Sequence, residues 1–230
     1  MDQSTHDATL NYVNNWFWRK EQLLIAAGIE EKTLDHMHHA QCIPNVIYSY
    51  DQHQGWWSAL SAHKGSAPKS PDSKGEHWYS PASLWWIRRT LLSMRDGNDF
   101  DAAAIQNRSD FETEFKRLYP IFPTLYPKLN LIYDPYNQED VQKAAQQEWK
   151  AWISGAYGVC LREFTPDICI RKEALGKTIK DYFTGNAPQL SKEDVLPLSQ
   201  ELSALLLPFS PWERPTSTAG HTLDKCLEAV

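Results

Sequence analysis

SPASLWWIRRTLLSMRDG, residues 80–97, is the clearest statement of architecture in this 230-residue chain. Ser80 offers an N-cap hydroxyl ahead of Pro81, whose fixed φ suits the first helical turn. Leu84, Ile87, Leu91 and Met94 then recur at helical spacing until Gly97 stops the run. Arg88, Arg89 and Arg95 fall toward the C-terminal half, where the helix dipole favours cations.

The same punctuation recurs outward from this stretch. Leu10, Val13, Phe17 and Leu24 share a face and predict one helix over residues 10–27, closed by Gly28. Ser109 with Glu112 reads as a capping box opening a helix that carries Phe111, Phe115 and Leu118 to Pro120. Residues 139–153 form a further amphipathic stretch. Thr165-Pro166 opens another, with Ile168, Leu175, Ile179 and Tyr182 before Gly185, and Ser191 with Asp194 begins the last, interrupted at Pro197 and Pro208. Strand signals are confined to residues 46–50 and 157–161, far fewer than a sandwich or barrel needs. The expectation is a mainly α fold: one compact helical domain over residues 1–230, with few short strands and a helix-turn-helix-like unit at about 8–50.

Composition narrows the classes. With 42% hydrophobic and 12% aromatic residues the chain can bury one large core. A net charge of −6 argues against a dedicated nucleic-acid binder, which needs a basic excess to displace counterions from phosphates. No run of about 18 apolar residues is present to span a bilayer. The start, Met1-Asp2-Gln3-Ser4-Thr5-His6, lacks the basic-then-apolar layout of a signal peptide, so a cytoplasmic location is expected. Cys42, Cys160, Cys169 and Cys226 are far apart and form no CxxC, which points to buried free thiols.

Motif by motif, cofactor chemistry finds no footing. Leu175-Gly176-Lys177-Thr178 imitates the end of a P-loop, but Arg171 stands where the motif needs glycine. No dinucleotide fingerprint appears. His36, His38, His39 and Cys42 have ligand-type side chains at helical spacing, yet no second cluster accompanies them, so a polar, partly exposed helix face is expected and no metal. The helix-turn-helix-like residues 23–37 include Glu30, Glu31 and Asp35 against Lys32 alone, a poor surface for phosphates. Gly155-Ala156-Tyr157-Gly158 before Cys160 invites a cysteine nucleophile, but burial is the ordinary fate of such a thiol.

The richer signal is aromatic. Trp56-Trp57, Trp78-Tyr79 and Trp85-Trp86 flank residues 62–75, a Gly-, Ser-, Pro- and Lys-rich stretch that reads as a flexible loop able to act as a lid. Packing is the usual work of such rings, and a pocket for a planar ligand is the alternative. Trp57, Tyr79 and Trp85 are its candidate walls. A carboxylate beside them would be desolvated and its pKa raised toward neutrality, which makes Glu76 the candidate general base, with His77 beside it. Arg88 or Arg162 offers the planar fork that grips a ligand carboxylate.

An ordered series joins these segments: Leu23-Leu24 with Ala27-Gly28-Ile29, Ile43-Pro44 with Tyr48, Tyr79 with Pro81, and Trp152 followed by residues 155–160, Thr165-Pro166 and Lys172-Glu173. The series resembles a little-characterised bacterial family associated with natural-product biosynthesis, in which we place the β-carboline-forming Pictet–Spengler enzyme of marinacarboline biosynthesis. That resemblance implies a cofactor-free homodimer that condenses L-tryptophan or a related arylethylamine with an aldehyde, using a glutamate as base. Glu76, Glu163 and Glu173 are the positions open to that role. A DNA-binding regulator using residues 23–37 and a noncatalytic small-molecule binder are the competing expectations.

Overall fold

The computed structural model describes residues 2–71 and 74–228 and is mainly helical with one small sheet. In chain order the first elements are α1 (Gln3–Trp16), β1 (Trp18–Arg19), α2 (Lys20–Ala27), α3 (Glu31–His39), β2 (Tyr48–Asp51), β3 (Gly55–Ser58), α4 (Ala59–His63), β4 (Glu76–Tyr79) and α5 (Ser83–Arg95). Then come α6 (Phe100–Leu118), α7 (Phe122–Leu125), α8 (Gln138–Ile153), α9 (Ala156–Cys160), α10 (Pro166–Phe183), α11 (Lys192–Leu205), α12 (Thr218–His221) and α13 (Leu223–Glu228).

By its internal contacts the chain divides into two compact units. Unit 1 is Met1–Asp110 with Trp149–Phe164, and unit 2 is Phe111–Glu148 with Thr165–Val230. Each closes its own core, one around rings and the other around paired helices.

In unit 1 the sheet order is β1-β4-β2-β3, with every neighbouring pair antiparallel. Tyr48 lies opposite Trp78 and Ser58, and Tyr50 opposite Glu76 and Trp56. Alternation along a strand therefore gathers Tyr48, Tyr50, Trp56 and Trp78 on one face. Helix α1 supplies the partners of that face: Asn14 accepts a hydrogen bond from the Trp78 indole at 3.0 Å, His6 accepts one from Trp56 at 3.1 Å, and Tyr12 meets Tyr48 edge-on. A second ring cluster forms where Trp152 stacks on Phe164 at 4.5 Å, with Trp86 and Trp149 beside it. Helices α2 and α3 form the helix-turn-helix-like unit. Gly28 turns between them at φ 66°, and Leu23, Leu34 and Met37 are buried.

In unit 2, α10 and α11 bury Ile170, Leu175, Ile179, Val195 and Leu202. Ser191 and Asp194 close a capping box at the start of α11. Thr178 ties the 119–136 stretch to α10: its hydroxyl accepts from the Asn130 N–H at 2.7 Å and donates to the Ala174 carbonyl.

Several sequence expectations are corrected. Residues 10–27 are not one helix, because Phe17 turns the chain into extended conformation and Trp18 and Arg19 pair with Tyr79 and Trp78. Ser109 does not open α6. Asp99 does, accepting from the Ala102 N–H at 2.8 Å ten residues earlier, and the long helix runs through Ser109 and Glu112. Helix α5 begins at Ser83, after a turn in which the Ser80 carbonyl accepts from the Ser83 N–H. Residues 157–160 belong to α9 rather than a strand, with Leu161 alone extended, since a short apolar run carries no period of its own. Gly155, at φ +86°, makes the turn into it, and a Cβ there would sit 2.7 Å from that of Ala59. Pro197 lies inside α11 and does not interrupt it.

Candidate functional site

The hairpin of β2 and β3 and the segment that follows it build a cavity of about 230 Å³ in unit 1. Its aromatic wall is Trp56 and Trp57, its outer wall Pro68 and Pro71, and its polar groups include Ser49, Asp51 and Gln54. Two local devices shape it. Asp51 closes the hairpin turn by accepting, through Oδ1, from the N–H groups of His53 (2.7 Å) and Gln54 (3.0 Å), and Gly55 completes the turn at φ +80°. The 62–75 stretch is held over Trp57 by a hydrogen bond from the indole to the Pro68 carbonyl at 2.8 Å. It returns to the sheet at Gly75, where a Cβ would lie 2.6 Å from the Ser49 hydroxyl. Asp72 and Ser73 of this stretch lie outside the described residues.

Electrostatically the lining of the cavity holds one charged side chain, the Asp51 carboxylate. The backbone N–H groups of His53 and Gln54 hold the Asp51 carboxyl below the usual carboxylate range, so it is ionised near neutrality. Oδ2 of Asp51 accepts no hydrogen bond among the described residues, but the Lys74 ammonium acts on the carboxyl and adds to the lowering. No lysine or arginine is among the lining residues.

Of the residues singled out from sequence, Trp57 lines this cavity and the others are dispersed through unit 1. Glu76 is not desolvated: its side chain is 58% exposed and pairs with the Arg19 guanidinium at 2.8 Å, while that guanidinium also stacks over Trp78 at 3.8 Å. His77 sits on the strand face opposite to Glu76, with its Cα paired to Ser49. Tyr79 stacks on His38 at 5.6 Å with ring planes 10° apart. Trp85 and Arg88 point outward from α5. Arg162 is exposed and lies over Trp16 at 5.1 Å. Of the alternative bases, Glu163 is exposed and Glu173 pairs with Lys172 in unit 2.

The histidine cluster also separates. His36 is exposed and leans on Phe100, His38 is half-buried, His39 is exposed, and Cys42 donates to the Phe100 carbonyl. Burial pushes the Cys42 thiol up to about 11 and the His38 imidazole down to about 4, the latter aided by the Lys20 ammonium. Among the described residues no group of three or more His, Cys, Asp or Glu is placed to hold a metal. All four cysteines are free and buried, Cys160 within α9. Residues 175–178 form no phosphate loop, being part of the middle of α10.

Sequence reasoning missed Asp51. The available signal was Asp51-Gln52-His53-Gln54-Gly55, a turn composition between two aromatic runs, where aspartate reads first as a turn residue.

Fold and cavity together define a mainly helical chain whose ring-rich unit carries a small antiparallel sheet with an acidic, tryptophan-walled pocket. The Family of unknown function (DUF6058) matches residues 111–230, and the chain belongs to it. That span takes in all of unit 2 and the 149–164 segment of unit 1. No curated protein and no solved structure matches the chain. No helix among the described residues is long and apolar enough to cross a membrane.

Proposed function

We propose that the chain binds an arylethylamine in the Trp57 cavity and condenses it with an aldehyde in a Pictet–Spengler cyclisation to a β-carboline scaffold. The observation that carries the binding half is the pairing of an ionised carboxylate, Asp51, with the Trp56 and Trp57 rings in one cavity. An ammonium group would pair with Asp51 Oδ2, the indole would lie against Trp57, and the 62–71 segment would exclude water from the iminium. The glutamate base is the other half. Glu76 fills that role in this scheme by leaving Arg19, and its support is the family resemblance. The same resemblance supports a cofactor-free homodimer, and the four free thiols suit the cytoplasm.

One observation favours a second reading, noncatalytic binding of the same amine. A carboxylate held charged by backbone N–H groups receives a cation well and a proton poorly. Nucleic-acid regulation fares worse, because α3 exposes Glu31 and Asp35 beside Lys32, and Lys20 is tied to Glu31 at 2.6 Å.

The test incubates the purified protein with tryptamine or L-tryptophan and a panel of small aldehydes, read by mass spectrometry, with calorimetric titration of tryptamine in parallel. A cyclised product above the enzyme-free control, lost in Asp51→Asn and Trp57→Ala and slowed in Glu76→Gln, is the expected result. Saturable tryptamine binding without product selects the noncatalytic reading. Neither binding nor product overturns both.

A further inference from the structure

Helix α5 turns one face into the core of unit 1 through Trp86, Ile87 and Thr90 and leaves another in solvent. Trp85, Arg88, Leu92 and Arg95 follow one another at intervals of three, four and three residues, which aligns them along one side of a helix. Trp85 is 52% and Leu92 58% exposed, and Arg88 and Arg95 are exposed as well. Arg88 and Arg95 have no acidic partner among the described residues, whereas the neighbouring Arg89 pairs with Asp110 and reaches over the Trp85 ring at 5.3 Å. The 13 residues of α5 contain three arginines and no acidic side chain, in a chain whose net charge is −6. Tryptophan and arginine are the residues most enriched where protein surfaces bind tightly.

We infer that the outer face of α5 is a docking surface for an acidic amphipathic helix of another protein, one that sets leucine-type side chains against Trp85 and Leu92 and carboxylates against Arg88 and Arg95. Charge complementarity selects this occupant. A second copy meeting the face across a two-fold axis would bring arginines against arginines, which opposes self-pairing. A membrane is disfavoured because the opposite face of the helix is committed to the core, leaving only Trp85 and Leu92 on this stripe to enter lipid. The surface belongs to no step of the proposed cyclisation, since neither Trp85 nor Arg88 lines the Trp57 cavity.

The test uses a synthetic, fluorescein-labelled amphipathic 18-mer with leucines at helical spacing and glutamates beside them, its lysine counterpart, and vesicles of phosphatidylglycerol and phosphatidylcholine. Fluorescence anisotropy of the glutamate peptide should show saturable binding that weakens with salt. Arg88→Glu/Arg95→Glu should reduce it at least tenfold and Trp85→Ala severalfold, with thermal unfolding unchanged. Equal binding of the glutamate and lysine peptides, indifference to both variants, arginine-dependent binding to the vesicles instead, or a dimer abolished by Arg88→Glu would each overturn the proposal.

Discussion

Unit 1 and unit 2 reach stability by different chemistry. Nine of the ten tryptophans fall within unit 1, where ring faces and edges fill the space between α1, the sheet and the Trp86–Trp152–Phe164 cluster. Unit 2 holds one, Trp212; beside smaller ring stacks such as Phe115 on Tyr119 and Phe122 on Tyr126 it has the aliphatic seam between α10 and α11, with polar ties such as Thr178 to Asn130 and Arg171 to Glu201. Tryptophan rings wall the Trp57 cavity of unit 1, whereas a larger cavity in unit 2, of about 890 Å³, is lined mostly by polar and charged side chains such as Lys116, Glu139, Lys143 and Gln146. The family match runs through the whole of the aliphatic unit, while the sheet with the Trp57 cavity precedes it in the chain.

The comparison breaks first at Trp152, which is fully buried and stacked on Phe164, with an indole N–H that has no partner among the described residues. Trp152→Ala should destabilise the protein by about 3–5 kcal/mol through lost burial and the cavity left behind. Trp152→Phe keeps a stacking ring and removes the unsatisfied donor, so it should cost far less. Urea unfolding of the two variants decides: similar losses would show that the ring cluster is not what holds unit 1.

Acid should distinguish the units next. Unfolded, His38 takes up its proton around pH 6.5; folded, with burial the main cause and Lys20 adding to it, only around 4. Between those values the unfolded chain binds more protons, so stability falls as pH falls through that window, by about 3 kcal/mol in all. In unit 2 the sensitive groups are carboxylates. Burial raises Asp181, but the hydrogen bonds from Lys177 and Asn130 outweigh it and leave it below its usual value. Such a group contributes stability above the unfolded carboxylate pKa and loses it only as pH drops below about 4. Unfolding curves at pH 7, 5.5 and 4 should therefore show the first loss in wild type and a flat response in His38→Phe. A variant as pH-sensitive as wild type would assign the loss elsewhere.

Within unit 2 the polar tie at Thr178 is the next weaker point. Thr178→Val preserves shape but leaves the Asn130 N–H and the Ala174 carbonyl without the hydroxyl, a cost of about 1–3 kcal/mol. Chemical denaturation measures it, and a change below half a kcal/mol would mean that water replaces the hydroxyl at both groups.

Helices were legible because terminal residues and apolar period act locally: Pro166 stands in the first turn of α10, and Ser191 with Asp194 caps α11. Phe17-Trp18-Arg19 was not, because its strand exists only by pairing with β4, some sixty residues away. The site was legible in part for the same reason. Trp57 beside a Pro- and Ser-rich stretch announces a ring under a loop, and the loop does bond to it. Alternation then undoes the rest, since residues adjacent in sequence face opposite ways along a strand: Trp56 shares a face with Trp78, and Glu76 does not share one with His77. Arg19, the partner that removes Glu76 from a desolvated setting, is likewise visible only once β1 joins the sheet.

The smallest effect should come from the most conspicuous polar contact of the α10–α11 seam. Arg171 reaches Glu201 with two hydrogen bonds, at 3.2 and 2.6 Å, and lies 5.7 Å over the Tyr126 ring. Both side chains remain about 30% exposed, at 29% and 31%, so water and salt screen the pair and either partner left alone is resolvated. Glu201→Gln should cost less than about 1 kcal/mol and less again at high salt, while Leu202→Ala one residue on, fully buried, should cost about 2–5 kcal/mol. If the order were reversed, the ion pair rather than the aliphatic seam would hold α10 to α11, and the contrast between a ring-built and an aliphatic unit would give way to one between rings and charges.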